Sequence, residues 1–376
     1  MGSVEMKILP FLEVFEDVSA GNTKIKQADY LSAGTLPIVD QGQSLIGGYS
    51  NDQNSTCKAD LPVVIFGDHT RVVKFIDFPF ALGADGVKVL KNKCQADVKY
   101  LYYCLKNSKI PDTGYNRHFK FLKELKIPLP PLPIQKKIAA VLEKADELKR
   151  KREEQIKRLD DLLQATFLDM FGDPVTNPKG WPVGHIRDMI ASTHYGTSAK
   201  ASDAGEFPIL RMGNITYKGD WDFSDLKYID LTEEEQKKYL VHSGEILFNR
   251  TNSRELVGKT AVYRKSRPMA FAGYLIKLKE NEKGNPEFIS AYLNSAYVKE
   301  FMLNKCKSIV GMANINAQEV QKIPAILPPK RLQDDFAKRV EAILENKRAL
   351  SSRMESLESL FNSLMQRAFK GELDLK

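Results

Sequence analysis

The chain has 376 residues, 43% hydrophobic and 28% charged, a globular composition long enough for two or three domains. Mean hydropathy is −0.35, no apolar run approaches the ~20 residues of a membrane helix, and the opening MGSVEMKILP has no apolar signal core. A net charge of +8 and a pI near 9.0 favour a polyanionic partner without demanding one, and the excess is spread thinly over the chain, so a nucleic acid would meet folded surfaces and not a basic tail.

Residues 1–133 read as a mixed α/β domain of short β-branched and aromatic stretches punctuated by Gly, Asn and Asp, such as TLPIVDQG (35–42) and PVVIFGDHTR (62–71). The junction KIPLPPLPIQKK (126–137) then opens a long segment without internal proline. Along it, positions 134, 138, 142, 145, 149, 152, 156, 159, 163, 166 and 170 step by three and four, one face of an α-helix. Ile138, Leu142, Ala145, Ile156, Leu159 and Leu163 carry that stripe, interrupted by Lys149 and Arg152. Its end at Gly172 suits a left-handed cap.

Residues 173–329 repeat the first domain faintly. EFPILRMG (206–213) resembles TLPIVDQG, GEILFNRTNSR (244–254) resembles PVVIFGDHTR, and GMANINAQEVQKIP (311–324) resembles GYNRHFKFLKELKIP (114–128). A second junction, KIPAILPPKRLQD (322–334), brings Pro328-Pro329 and Gln333 onto Pro130-Pro131 and Gln135. A second stripe follows: Phe336, Val340, Ile343, Leu350, Met354, Leu357, Phe361 and Leu364, with Lys347 at the position of Lys149. The expected division is 1–133, 134–172, 173–329 and 330–376. Each rod of about 37 residues would be roughly 55 Å long, and a one-sided stripe of that length cannot bury itself. The two rods most simply bury against each other. Exposed apolar positions off the stripe, Val141, Leu148 and Leu162, suit partner helices or the undersides of the domains.

Cys57, Cys94, Cys104 and Cys306 form no C-x-x-C pair, and the five histidines are scattered. No metal site or disulfide framework is expected, and a reduced cytoplasmic setting is. LVGKT (256–260) ends like a P-loop, but its first glycine would fall on Ser253. The Pro-Pro pairs follow Leu129 and Leu327, so no adenine-methyltransferase loop is present. Pro111-Asp112 with Glu124-Leu125-Lys126 imitates the pattern of Mg²⁺-dependent nucleases. A stand-alone nuclease using Asp112, Glu124 and Lys126 therefore stays open as an alternative, as does a coiled-coil scaffold that binds no DNA.

The segments IPLPPLPIQKKIAAVLEKADELKRKREEQIKRLDDLLQATFLDMFGDP and PPKRLQDDFAKRVEAILENKRALSSRMESLESLFNSLMQRAFKGEL resemble the central and C-terminal conserved regions of the specificity subunit of a type I restriction–modification enzyme. FPILRMGNITYKGDWDFSDLKYID and GEILFNRTNSRELVGKTAVY resemble that family's target recognition domains. The resemblance covers nearly the whole chain. It implies an α+β fold: two similar mixed α/β target recognition domains, separated by two long helices pairing as an antiparallel coiled coil in a pseudo-twofold internal repeat. It also implies a non-catalytic subunit that reads a bipartite target in double-stranded DNA. Two methyltransferase subunits, which bind S-adenosylmethionine and methylate adenine at N6, would dock on the helices, and a translocase–nuclease restriction subunit can join. No cofactor is expected in this chain.

DNA readout would draw on loop residues able to bond bases or phosphates. In the first domain these are His69, Thr70 and Arg71, then Tyr115, Asn116, Arg117, His118 and Lys120. In the second they are Arg211 and Asn214, then Asn249, Arg250, Thr251, Asn252, Ser253 and Arg254, then Asn314 and Asn316. Lys259, Arg264, Lys265 and Arg267 are further candidates, and HYGTSAK (194–200) resembles the loop leading into such a domain. Lys149 and Arg152 read first as lysine and arginine stems reaching out of a coil, and second as a basic strip facing DNA.

Overall fold

The computed structural model describes residues 6–370 apart from 84, 115, 254–255 and 306–311. It forms two compact units. One is Met1–Glu154 with Ser351–Lys376, the other Gln155–Leu350, so each long helix is divided between them. No helix among the described residues is long and apolar enough to cross a membrane.

In the first unit, strand Lys7–Pro10 pairs antiparallel with Lys126–Leu129, the strand of the first Lys-Ile-Pro junction. An antiparallel sheet runs Phe15–Asp17, Val87–Asn92, Val63–Gly67, Val73–Ile76. A second sheet runs Gly48–Ser50, Leu36–Val39, Ala81–Leu82, its last pair parallel. Strand Val63–Gly67 is buried on both faces because its alternate side chains serve two cores. Val64 and Phe66 meet Tyr100 and Leu101 of helix Val98–Lys106, while Val63 and Ile65 meet Val39 and Leu82 of the second sheet.

The second unit repeats this order. Val183–His185 pairs with Pro324–Ile326 of the second junction. One sheet runs Ile190–Tyr195, Leu275–Glu280, Ile246–Asn249, Thr260–Val262. The other runs Lys227–Ile229, Phe207–Leu210, Met269–Phe271, Leu240–Val241, and again its central pair is parallel. Ile246 and Phe248 face Phe288 and Tyr292 of helix Pro286–Leu293, and Leu247 faces Leu210 and Phe271.

The two rods are helices Leu132–Phe171 and Lys330–Lys370. The first ends as its sequence suggests: Gly172 takes φ +80° and its N–H closes on Leu168 O at 2.8 Å. Gly371 lies outside the described residues. Every position of both apolar stripes is buried or half-buried. In the first unit Ile138 and Leu142, early in the first helix, share a core with Met365 and Ala368, late in the second. In the second unit Phe167 and Phe171, late in the first helix, meet Phe336, early in the second, with ring centres 5.9 and 5.3 Å apart. Within each unit the two helical segments therefore run antiparallel. Lys149 and Lys347, which interrupt the stripes at equivalent positions, are paired with the other helix: Lys149 lies 2.7 Å from Glu358, and Lys347 lies 2.8 Å from Asp160. Val141, Leu148 and Leu162 are exposed.

Candidate nucleic-acid interface

In the first unit the loop that leaves strand Val63–Gly67 is knitted to the segment before the junction. Asp68 is buried; its carbonyl accepts the His118 N–H at 2.8 Å, and its carboxylate accepts the Phe119 N–H at 2.7 Å. Arg71 adopts φ +61°, uncommon for a side chain with a Cβ, and its guanidinium lies 2.6 Å from Asp112. The Gly114 N–H and Arg71 together hold the Asp112 carboxyl below its ordinary range. Thr70 donates to Gln41 O at 2.6 Å. So the Arg71–Asp112 pair and the Asp68 bonds to His118 and Phe119 bring two clusters that are separate in sequence together, with Thr70, Arg117 and Lys120 exposed there.

The second unit closes the equivalent loops the same way. The Ile315 N–H donates to Arg250 O at 2.9 Å, and strand Thr251–Ser253 pairs with Met312–Asn314, placing Thr251 opposite Asn314. The Arg250 guanidinium stacks 4.9 Å from the ring centre of Tyr195, in the HYGTSAK segment. The Tyr195 hydroxyl in turn accepts the Ala317 N–H at 2.9 Å. Asn316 is exposed and caps helix Ala317–Gln321, its Oδ1 accepting the Glu319 N–H.

Beside this hairpin lies a cleft of about 760 Å³, lined by Arg211, Met212, Asn214, Asn252, Leu256, Lys259, Tyr274 and the acidic edge Asp222–Asp225. Arg211 is braced at one end only. Its Nη2 lies 2.8 Å from Asp225 Oδ2, while its Nε is buried with no hydrogen-bond partner among the described residues. Such a donor costs about 1–3 kcal/mol when left unpaired.

Several sequence expectations are corrected by burial. His118 is fully buried, its ring held between Asp68 O at 3.0 Å and Thr113 Oγ1 at 3.2 Å. Asn214 accepts the Arg211 N–H and donates to Asp222 O and Asp225 O. Asn249 is fully enclosed, its backbone bonded to Lys259 O and to the Gly258 N–H. His118 and Asn249 are enclosed and shape their loops, while Asn214, itself buried, forms part of the cleft floor. Lys259 likewise points inward, its Nζ donating to Met212 O at 3.0 Å and to Ile215 O, and burial lowers its pKa. Burial does not remove Arg264 and Arg267: the first is partly exposed and held bidentately by Glu287, and the second is exposed and donates to Glu206 O at 2.9 Å. Tyr115 and Arg254 lie outside the described residues.

Three features escaped the sequence reading. Asp225 and Tyr274 complete the cleft; Asp225 lies in the segment that resembles a target recognition domain, but its pairing with Arg211 is set by the fold. Lys74 is the first unit's counterpart of Lys259, a buried cation bonding Asp40 O and Ser44 O at 2.7 and 2.6 Å in the loop after Leu36–Val39. A lysine inside an apolar strand, as in VVKFI, is the signal that could have found it.

The profile described as "Type I restriction modification DNA specificity domain" matches residues 4–158 and 178–358. The chain belongs to this family. Both copies of the family domain carry a four-stranded antiparallel sheet, a second sheet containing one parallel pair, a terminal junction strand and a share of the paired helices. Among relatives, the chain is 24% identical over 269 residues to the EcoKI specificity subunit of Escherichia coli K12, spanning 66% of this chain and 58% of that protein. It is 27% identical over 204 residues to a putative MjaX specificity subunit of Methanocaldococcus jannaschii, spanning 53% of this chain and 48% of that one. The matches thus reach about half the length of these relatives. The fold is that of a type I restriction–modification S subunit from M. genitalium, with a TM-score of 0.64, 15% identity, and 98% and 97% of the two chains covered. Neither the nuclease nor the scaffold alternative finds support: the Asp112 carboxylate is committed to Arg71 and Gly114, and the family is a DNA specificity family.

Proposed function

We propose that this chain is the DNA-reading subunit of a type I restriction–modification complex. Residues 1–133 and 173–329 each read one half of a split target. The helices at 134–172 and 330–376 set the spacer and dock two methyltransferase subunits, with a restriction–translocase subunit able to join. Catalysis and S-adenosylmethionine belong to the partners, and the complex works in the cytoplasm. The observation that carries this reading is duplication down to single hydrogen bonds: Asp68 O takes the His118 N–H where Arg250 O takes the Ile315 N–H. Two readers built alike and joined to paired rods suit a target with two parts.

The test is a map of N6-methyladenine across the host genome with the gene intact and deleted. A split motif with a fixed spacer loses methylation on deletion. If no motif changes and the purified chain cuts DNA with Mg²⁺ alone, the nuclease reading replaces this one.

A further inference from the structure

The loop after the central strand of the second sheet differs sharply between the units. In the first it spans residues 40–47, between Leu36–Val39 and Gly48–Ser50; in the second it spans 211–226, between Phe207–Leu210 and Lys227–Ile229. The added length is ordered. Its base is the wall of the cleft, where Asn214 and Asp222 exchange backbone and side-chain hydrogen bonds of 2.8 and 2.9 Å and Arg211 is braced on Asp225. Its tip is a tight turn, Thr216 N–H to Asp220 O at 2.8 Å, with Gly219 at φ +80°. A Cβ at Gly219 would lie 2.5 Å from Asn294 Nδ2 and 2.7 Å from Thr260 O, so the tip is pressed onto the globular fold.

From that tip two charges reach the rods. Asp220 lies 2.9 Å from Lys347 on the second long helix, and Lys218 lies 2.9 Å from Asp160 on the first. Lys347 and Asp160 also pair with each other at 2.8 Å. Lys347 and Asp160 are half-buried, so water screens this four-membered cluster less than an ordinary surface pair. Lys299 secures the tip from behind, donating to Tyr217 O at 2.8 Å with its ammonium 3.7 Å from the Tyr217 ring centre.

We propose that Lys347 is a positioning residue for target reading. Through the Asp160–Asp220–Lys218 cluster it locks the reading cleft to the paired helices, so that the second unit accepts its half-site at one spacer length only. This rests on the reading of a split target given above.

The test uses the chain assembled with its methyltransferase subunits and duplexes carrying both mapped half-sites. The spacer is the mapped length, or one base pair longer or shorter. In Lys347→Met and Asp220→Asn the preference for the mapped spacer falls about fivefold, a typical coupling between sites, while Lys347→Arg keeps it. A merely structural role would weaken binding equally at every spacer; an unchanged preference in folded Lys347→Met and Asp220→Asn overturns the proposal. If Lys347→Met does not fold, Asp220→Asn, at the more exposed end of the cluster, decides alone. If the wild-type complex binds the split duplex no better than a scrambled one, the underlying reading fails and the proposal with it.

Discussion

The side-chain carbonyl of Gln333 accepts the backbone N–H of Asn285 at 2.9 Å, while its amide donates to Pro328 O at 2.8 Å. Gln135 does the same in the first unit, with Asp97 N–H at 2.9 Å and Pro130 O at 2.7 Å. Asp97 and Asn285 are the N-caps of helices Val98–Lys106 and Pro286–Leu293. Each buried glutamine therefore ties the first turn of a long helix to the start of a domain helix, and this is the physical reason for the repeated Pro-Pro junction. The Gln333 amide also donates to Lys283 O at 3.0 Å, so Gln333→Met keeps the volume but leaves three backbone groups without this partner, at about 1–3 kcal/mol for each that stays buried and unpaired. Urea unfolding of Gln333→Met gives a clear loss of stability; a wild-type midpoint would remove the glutamine from this role.

Pairing of the rods rests on aromatic packing in the second unit. Phe336 is buried against Phe167 and Phe171. Phe336→Ala costs about 3–5 kcal/mol, measured by denaturation, and Phe336→Leu costs much less.

Arg211 presents a half-braced guanidinium to the cleft. Arg211→Ala weakens binding of the split duplex by about 1–3 kcal/mol and relaxes sequence preference at one position of one half-site. Competition among duplexes substituted in either half tests this. Equal losses in both halves would mark Arg211 as a fold residue.

Lys259 and Lys74 are buried and staple loop carbonyls. A lysine that neutralises a phosphate takes ~0.9 off the salt slope of binding when removed. Lys259→Met leaves that slope unchanged while lowering stability. A reduced slope would return Lys259 to the DNA surface.

The Asp160 cluster makes stability depend on acid. Burial alone would raise the Asp160 carboxyl, but hydrogen bonds from Lys347 and Lys218 outweigh it and hold the pKa below the ordinary 3.8. A depressed folded-state pKa stabilises above the unfolded value, and that contribution is lost as pH falls through the folded one. Asp160→Asn is therefore less stable than wild type at neutral pH, and the gap closes below about pH 4. Unfolding midpoints across that range check it; a gap independent of pH would contradict the assignment.

The sequence by itself determined the doubling, the two rods and their faces. Periodicity and proline placement are local properties, and a stripe such as Phe336, Val340, Ile343 is legible because helical geometry repeats along the chain. It also named the loops that gather at each site. Only the tertiary structure decided which side chains of those loops are available. His118 and Lys259 look like DNA contacts by residue type, yet chain segments distant in sequence enclose them: the Asp68 carbonyl holds the His118 ring, and the Met212 and Ile215 carbonyls take the Lys259 ammonium. Asp225 became part of the cleft through a pairing with Arg211 that no spacing announces. Burial and partner choice are set by which segments meet across the fold, and that information is not carried by any short stretch of residues.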